Sequence, residues 1–135
     1  MKGRSLKIGL DLDNTINENA NTVALFSLLT NALKGKAEIH IITSRGQSEE
    51  SRQETILELD KLGIYYDELA ITSDKHNYII NNGINTFIDD TDEFFVNLPE
   101  SITVLKIREP GNFDFSKRKW VYGDRTGVNI DDKRK

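Results

Sequence analysis

The sequence predicts an α/β fold, a three-layer arrangement in which helices cover a parallel β-sheet. Apolar residues recur with period two in five short runs and with helical spacing in the segments between them. Strands that alternate with helices at this spacing are typical of βαβ units. A length of 135 residues corresponds to one domain. The five predicted strands are residues 6–11, 37–43, 68–72, 85–89 and 102–107.

Helix signals fill the intervals between these strands. Gly35 follows the first predicted helix, and the second and third end at Gly63 and Gly83, since glycine commonly ends a helix. Ser48 opens the second helix as a capping residue, and acidic residues follow in its first turn, where the helix dipole favours them. A shorter fourth helix should stop at Pro99. The four helical ranges are 21–33, 48–63, 74–83 and 92–98.

The amino-acid composition excludes several classes of protein and of functional site. No cysteine is present, so disulfides, thiolate metal sites and a cysteine nucleophile are excluded. The net charge of −4 argues against a general nucleic-acid binder. The chain shows no apolar run of membrane-spanning length and no signal-peptide pattern, so we expect a cytoplasmic protein without membrane partners. We expect residues 1–110 to form the core and residues 111–135, with seven Lys or Arg against four Asp, to form a tail that packs on it, with its end disordered.

Polar residues follow nearly every predicted strand. In an open α/β sheet, ligands bind beyond the carboxyl ends of the strands, so these residues are the candidate site. Two carboxylates with a backbone carbonyl suit Mg²⁺, while a lysine and a threonine hydroxyl suit phosphoryl oxygens. The residues are Asp11 and Asp13 after the first strand, Thr43, Ser44 and Arg45 at the second, Lys75 after the third, and Asp89, Asp90 and Asp92 at the fourth.

This set indicates covalent phosphoryl chemistry. A carboxylate beside Mg²⁺, Asp11, can act as a nucleophile and form an aspartyl-phosphate. Asp13, two residues on, can protonate the leaving group and then activate water. That role calls for a pKa of Asp13 above the pKa of Asp11, which we expect the neighbouring negative charge to supply.

Four short motifs occur in a fixed order, "DLDNT", "IITSR", "DKH" and "FIDDTD". They resemble the four signature motifs of the haloacid dehalogenase (HAD) superfamily of phosphotransferases, over roughly residues 6–107. The resemblance implies a Rossmann-like sheet with strand order 5-4-1-2-3. It also implies a role for each matching position. Asp11 would be the nucleophile and a Mg²⁺ ligand, and Asp13 would be the general acid/base with its main-chain carbonyl on the metal. Thr43 and Ser44 would bind phosphate, Lys75 would be the third-motif lysine, and Asp90 and, close by, Asp89 would be Mg²⁺ ligands.

The spacing of the motifs bears on the subfamily. The intervals between Thr15 and Thr43 and between Thr43 and Lys75 have no room for a cap domain. The chain is therefore similar to minimal, capless members, with likeness to 5′(3′)-deoxyribonucleotidases and to the phosphatase halves of polynucleotide repair enzymes. The presence of Asp13 favours a phosphatase over a dehalogenase. A capless site takes large substrates or uses a lid from a second subunit, so the sequence allows an oligomer as well as a monomer.

Several alternatives remain open at this stage. A nucleotide-like or other small phosphomonoester is the favoured substrate, with a phosphorylated 3′ end of a nucleic acid as the alternative, to which the basic stretch "SKRKW" could contribute. A receiver-like signalling domain and a non-catalytic phosphate-binding protein are less favoured. Arg45 is either a substrate contact or a surface residue. His76 is expected to stay outside the site, His40 to be structural, and Asp92 to cap the fourth helix.

Overall fold

A five-stranded, all-parallel sheet forms the centre of the computed structural model, which describes residues 5–107, 113–114 and 116–120. The strand order is β3-β2-β1-β4-β5, which is 5-4-1-2-3 when read from the other edge. β1 occupies the middle and pairs with both β2 and β4. The strands are β1 (Leu6–Leu10), β2 (Ala37–Thr43), β3 (Glu68–Ile71), β4 (Thr86–Asp89) and β5 (Thr103–Lys106).

Three helices connect the strands, namely α1 (Ala20–Leu33), α2 (Glu49–Lys61) and α3 (Lys75–Asn81). Each begins at a side chain that accepts a hydrogen bond from a backbone N–H of the first turn, and the capping residues are Asn19, Ser48 and Asp74. Beyond the helices, Gly35, Gly63 and Gly83 all have positive φ, the conformation for which glycine is preferred. The predicted ends of these helices therefore agree with the structure to within two residues.

Two apolar clusters lie on opposite faces of the sheet, because successive residues of a strand point to opposite sides. One cluster joins Ile8, Leu10, Ile39 and Ile41 of the sheet to Phe26 of α1 and Leu59 of α2. The other joins Ile42 and Phe87 of the sheet to Ile79 of α3. Helices thus cover both faces, and the predicted three-layer α/β architecture is confirmed.

The predicted length of the fourth helix, residues 92–98, is wrong. Only one 3-10 turn, Asp92–Phe95, forms there. Val96 already has extended backbone angles and Asn97 has a φ of 68°. Pro99 disfavours helical geometry in the residue before it, and a left-handed residue at 97 cannot continue a helix.

The tail expected at 111–135 falls mostly outside the described residues. Within it, β6 (Phe113–Asp114) and β7 (Lys119–Trp120) form a short antiparallel pair. Its packing on the core and a boundary at residue 110 stay predictions. Among the described residues, no helix is both long enough and apolar enough to cross a membrane.

Candidate functional site

A cleft of about 320 Å³ opens at the carboxyl ends of the central strands. β1 lies between β2 and β4, so the residues that follow these three strands meet at one edge of the sheet. Every residue proposed from the sequence for catalysis or phosphate binding lines the cleft. Its lining residues are Asp11, Asp13, Asn14, Thr43, Ser44, Arg45, Lys75, Asp90, Thr91 and Phe94.

A buried ion-pair cluster forms the floor of this cleft. Lys75 Nζ donates to Asp11 Oδ1 at 2.8 Å and to Asp89 Oδ2 at 3.0 Å. The lysine side chain is 2% exposed, and its ammonium lies 4.2 Å from the ring centroid of Phe94. Burial opposes the charge on Lys75, but the two carboxylates outweigh it and the pKa of Lys75 is raised. The lysine is therefore a fixed cation beside the predicted nucleophile.

Asp90 completes the acidic cluster, and no lysine or arginine of the described residues forms a salt bridge with it. The Thr15 hydroxyl lies 3.1 Å from Asp11 Oδ2 and 3.4 Å from Asp90 Oδ1. Asp89 Oδ1 instead accepts the backbone N–H groups of Asp90 and Thr91, at 2.7 and 3.0 Å. Asp89 is thus fixed by the lysine and by its own loop, while Asp90 shares a hydroxyl with Asp11.

Burial, with the neighbouring negative charges, raises the pKa values of two of these carboxyl groups. Burial, with the negative charge of Asp89 adding to it, raises the pKa of Asp11 to about 6, although Lys75 acts in the opposite direction. Burial, together with Asp11 and Asp89, raises the pKa of Asp90 to about 8. Without a further cation, Asp90 therefore keeps its proton to a higher pH than an ordinary aspartate does.

The cluster could hold a metal ion. Asp11, Asp89 and Asp90 each offer a carboxylate oxygen, and these atoms lie within 4.8 Å of one another. All three side chains are buried, and Lys75 supplies one positive charge against three potential negative charges. A divalent cation would balance the remaining two, and an all-oxygen donor set suits a hard ion. The donor set therefore fits the expected cofactor in charge and in ligand type.

Asp13 is tied to Arg45, which the sequence left as either a substrate contact or a surface residue. Arg45 Nη2 and Nε donate to the two oxygens of Asp13 at 2.7 and 3.0 Å, and Arg45 Nη1 lies 3.0 Å from Glu58 Oε1. Hydrogen bonds from Arg45 lower the pKa of Asp13. The expectation that the pKa of Asp13 lies above the pKa of Asp11 is thus wrong for this structure, because a guanidinium faces Asp13 while burial acts mainly on Asp11.

Thr43 and Ser44 reach the cleft as expected, because Thr43 ends β2 and Ser44 follows it. Neither residue caps α2, whose N-cap is Ser48. A helix-capping role for Thr43 or Ser44 is therefore excluded.

Three groups in or beside the site were missed by sequence reasoning. Phe94 covers Lys75 and lines the cleft. Asn17 and Glu58 contact Asp13 and Arg45 from the turn after β1 and from α2. One signal was present for Glu58, because it lies three residues after the buried Thr55 and therefore on the same face of α2.

Other candidates lie away from the cleft lining. His76 is half-buried, and its Nε2 lies 2.9 Å from the carbonyl oxygen of Asn97. His40 is buried in β2, with Tyr78 and Glu38 at its two ring nitrogens. Asp92 pairs with Lys106 at 2.6 Å, and the N-cap of its 3-10 turn is Thr91, so the expected capping role of Asp92 is wrong.

Compared with protein-family models, with curated proteins and with solved structures, the chain gives no match. The assignment of a function therefore depends on the four motifs and on the geometry of the cleft.

Proposed function

We propose that the chain is a Mg²⁺-dependent phosphomonoester hydrolase of the HAD type that works through an aspartyl-phosphate on Asp11. The observation that carries the proposal is the pairing of Asp11 with Lys75 on the floor of a cleft that Asp13 and Thr43 also line. A nucleophile, a fixed cation, a second carboxylate and a hydroxyl donor thus face one volume. These are the groups that transfer of a phosphoryl group to a carboxylate requires.

The topology supports the same assignment. The order 5-4-1-2-3 is the one that the HAD resemblance implies, and it sets β1, β2 and β4 side by side. Between Thr15 and Thr43 the chain forms α1 and β2, and between Thr43 and Lys75 it forms α2 and β3. Neither interval contains an inserted domain, which supports a capless member of the family.

The metal would be held by Asp11 and Asp90, with Asp89 close by and the main-chain carbonyl of Asp13 as the ligand that the resemblance implies. When bound, Mg²⁺ would neutralise phosphoryl oxygens and draw negative charge from the reacting group. Its binding would also displace the proton that the raised pKa assigns to Asp90.

The chain's own residues account for the two steps. In the first, an oxygen of Asp11 forms a bond to phosphorus, the phosphorus–oxygen bond to the leaving group breaks, and Asp13 gives the departing oxygen a proton. In the second, Asp13 takes a proton from water, whose oxygen attacks phosphorus and releases inorganic phosphate and free Asp11. Lys75 and Thr43 hold the phosphoryl oxygens throughout.

The pKa of Asp13 must rise from its value in the free protein before Asp13 can act as an acid. Arg45 lowers that pKa in the free protein. A phosphate dianion bound in the cleft places negative charge next to Asp13 and so raises its affinity for a proton. The proton donor is thus formed in the complex with substrate.

A nucleotide-like or other small phosphomonoester is the substrate class that we favour. The cleft, about 320 Å³, is at the lower end of the range for small-molecule sites. A receiver-like domain is disfavoured, because its phosphorylated aspartate would end β3, where this chain has Ile71 followed by Thr72.

Hydrolysis of p-nitrophenyl phosphate by wild type and Asp11→Asn, with Mg²⁺ or with EDTA, tests the proposal. We expect metal-dependent turnover that falls at least about 10³-fold in Asp11→Asn, since the nucleophile is lost. Asp60→Asn, which removes an exposed carboxylate of α2, should retain wild-type activity. Turnover that survives in Asp11→Asn would show that Asp11 is not the nucleophile.

A further inference from the structure

A closed ring of four side chains includes the predicted acid/base, Asp13. Arg45 donates two hydrogen bonds to Asp13, and its Nη1 pairs with Glu58 Oε1 at 3.0 Å. Asn17 Nδ2 donates to Asp13 Oδ1 at 3.2 Å and to Glu58 Oε2 at 3.1 Å. Each member contacts two others, so the ring closes on itself.

The orientation of Asn17 follows from a bond outside the ring. Its Oδ1 accepts the backbone N–H of Asn14 at 2.9 Å, which leaves Nδ2 to face the two carboxylates. Asn14 has a φ of 62°, a left-handed conformation that asparagine tolerates better than most residues. The turn after β1 therefore fixes the asparagine donor beside Asp13.

Arg45 is directed toward protein carboxylates. Two of its nitrogens are used on Asp13, and the third pairs with Glu58 and also donates to Thr55 Oγ1 at 3.3 Å. Its one positive charge is shared by two carboxylates. This geometry makes Arg45 a poor receptor for a substrate anion and a good support for Asp13.

The ring connects the turn that carries Asp13 to helix α2. Asp13 and Asn17 belong to the turn that follows β1, while Glu58 lies on α2, 45 residues after Asp13. Asp13 is about half exposed, so packing alone does not fix its carboxylate. Glu58 is the member that anchors the exposed end of the ring to a helix.

We infer that Asn17 and Glu58 are positioning residues, which hold the Asp13 carboxylate, directly and through Arg45, where it can protonate the leaving group. The inference rests on the proposed function and concerns residues that its four motifs do not contain. A misplaced catalytic group can cost about 10²-fold in rate even when the reacting groups are intact. Loss of the ring should therefore lower activity in the step that uses Asp13.

Two substrates separate this role from a general structural one. A p-nitrophenyl phosphate releases a stable phenolate and needs little help from an acid, whereas an alkyl phosphate such as 2-phenylethyl phosphate needs a proton on its leaving oxygen. The parameter kcat/KM covers the steps up to leaving-group departure. Asp13→Asn gives the reference pattern, a loss confined largely to the alkyl substrate.

We expect Asn17→Ala and Glu58→Ala to lower kcat/KM for the alkyl phosphate about 10- to 100-fold and for the aryl phosphate less than about 3-fold. Glu58→Gln keeps an acceptor for Arg45 and should fall between wild type and Glu58→Ala. Glu54→Ala, which removes an exposed carboxylate one turn earlier on α2, is the matched control and should equal wild type. Equal losses on both substrates, or no loss, would overturn the inference while leaving the proposed function intact.

A second readout does not depend on catalysis. The Arg45 Nε–H group donates to Asp13 in the ring and should give a solvent-protected signal in ¹H–¹⁵N NMR spectra of the metal-free protein. We expect that protection to fall in Asn17→Ala and Glu58→Ala and to persist in Glu54→Ala. If wild type hydrolyses neither substrate, the proposed function fails. In that case the NMR signal alone tests whether Asn17 and Glu58 hold Asp13 in place. Unchanged protection of the Arg45 Nε–H group in both variants would reject that role.

Discussion

Lys75 Nζ lies 2.8 Å from Asp11 Oδ1, although 64 residues separate the two in the chain. Lys75 begins α3 and Asp11 follows β1, so the contact joins two layers of the fold at the cleft. Both groups are buried, and the same ammonium contacts Asp89. The pairing makes one lysine the partner of two carboxylates, and stability and activity should both depend on it.

Replacement of Lys75 by methionine should destabilise the metal-free protein by about 3–5 kcal/mol at pH 7.5, because it leaves two buried carboxylates without their cation. At pH 5 the loss should be smaller, since protonation relieves the unpaired charges. Urea denaturation at the two pH values measures both effects. Lys36→Met removes an exposed lysine and should change the free energy of unfolding by less than about 0.5 kcal/mol. A loss for Lys75→Met no greater than this control would contradict the role of the pair.

Asp90→Asn should weaken metal binding and stabilise the metal-free protein. The substitution removes a carboxylate whose charged form is disfavoured by burial and by Asp11 and Asp89. In wild type, Mg²⁺ should raise the melting temperature, since a ligand that binds only the folded state stabilises it. We expect little Mg²⁺-dependent shift in Asp90→Asn and a full shift in Asp60→Asn, measured by thermal denaturation. A full shift in Asp90→Asn would exclude Asp90 as a ligand.

The stability of the metal-free protein should fall as pH rises from about 4 to about 8. The pKa of Asp11, about 6, and the pKa of Asp90, about 8, both exceed the ordinary value of 3.8. In this window the folded state binds more protons than the unfolded state, so the free energy of unfolding decreases with pH. Above pH 8 the effect levels off. Urea titrations from pH 5 to 9 should show this slope in wild type and a shallower slope in Asp90→Asn, and equal slopes would argue against the raised pKa of Asp90.

The elements and the site lining could be predicted because each depends on local signals. Strand and helix periods, capping residues such as Ser48 and glycines such as Gly63 act over a few residues. Parallel strands carry their carboxyl ends to one edge, so Asp11, Thr43 and Asp90 meet once the strand order is known. The pattern of residues therefore predicted the carboxylates and the lysine of the cleft lining, but not Phe94.

What the sequence did not predict depends on the rotation and packing of elements about one another. Arg45 can contact both Asp13 and Glu58 because α2 places Glu58 near the turn after β1. Phe94, which covers Lys75, lies in a single 3-10 turn where a longer helix was expected. The contact of Arg45 with Asp13 lowers the pKa of Asp13, and the spacing of residues in the sequence does not predict that contact.

Gly9 lies in β1 at the centre of the sheet, and a side chain there should destabilise the fold. A Cβ atom at this position would lie 2.8 Å from Ile42 Cδ1, 3.2 Å from Phe87 Cδ1 and 3.3 Å from Ile84 Cγ2. All three neighbours are buried, so Gly9→Ala should cost about 1–3 kcal/mol through overpacking. At Gly46 the nearest atoms to an added Cβ are 3.6 and 3.7 Å away, both in Ser51, an ordinary contact distance. Gly46→Ala should therefore be neutral or slightly stabilising, and equal urea midpoints for the two variants would contradict the tight packing around Gly9.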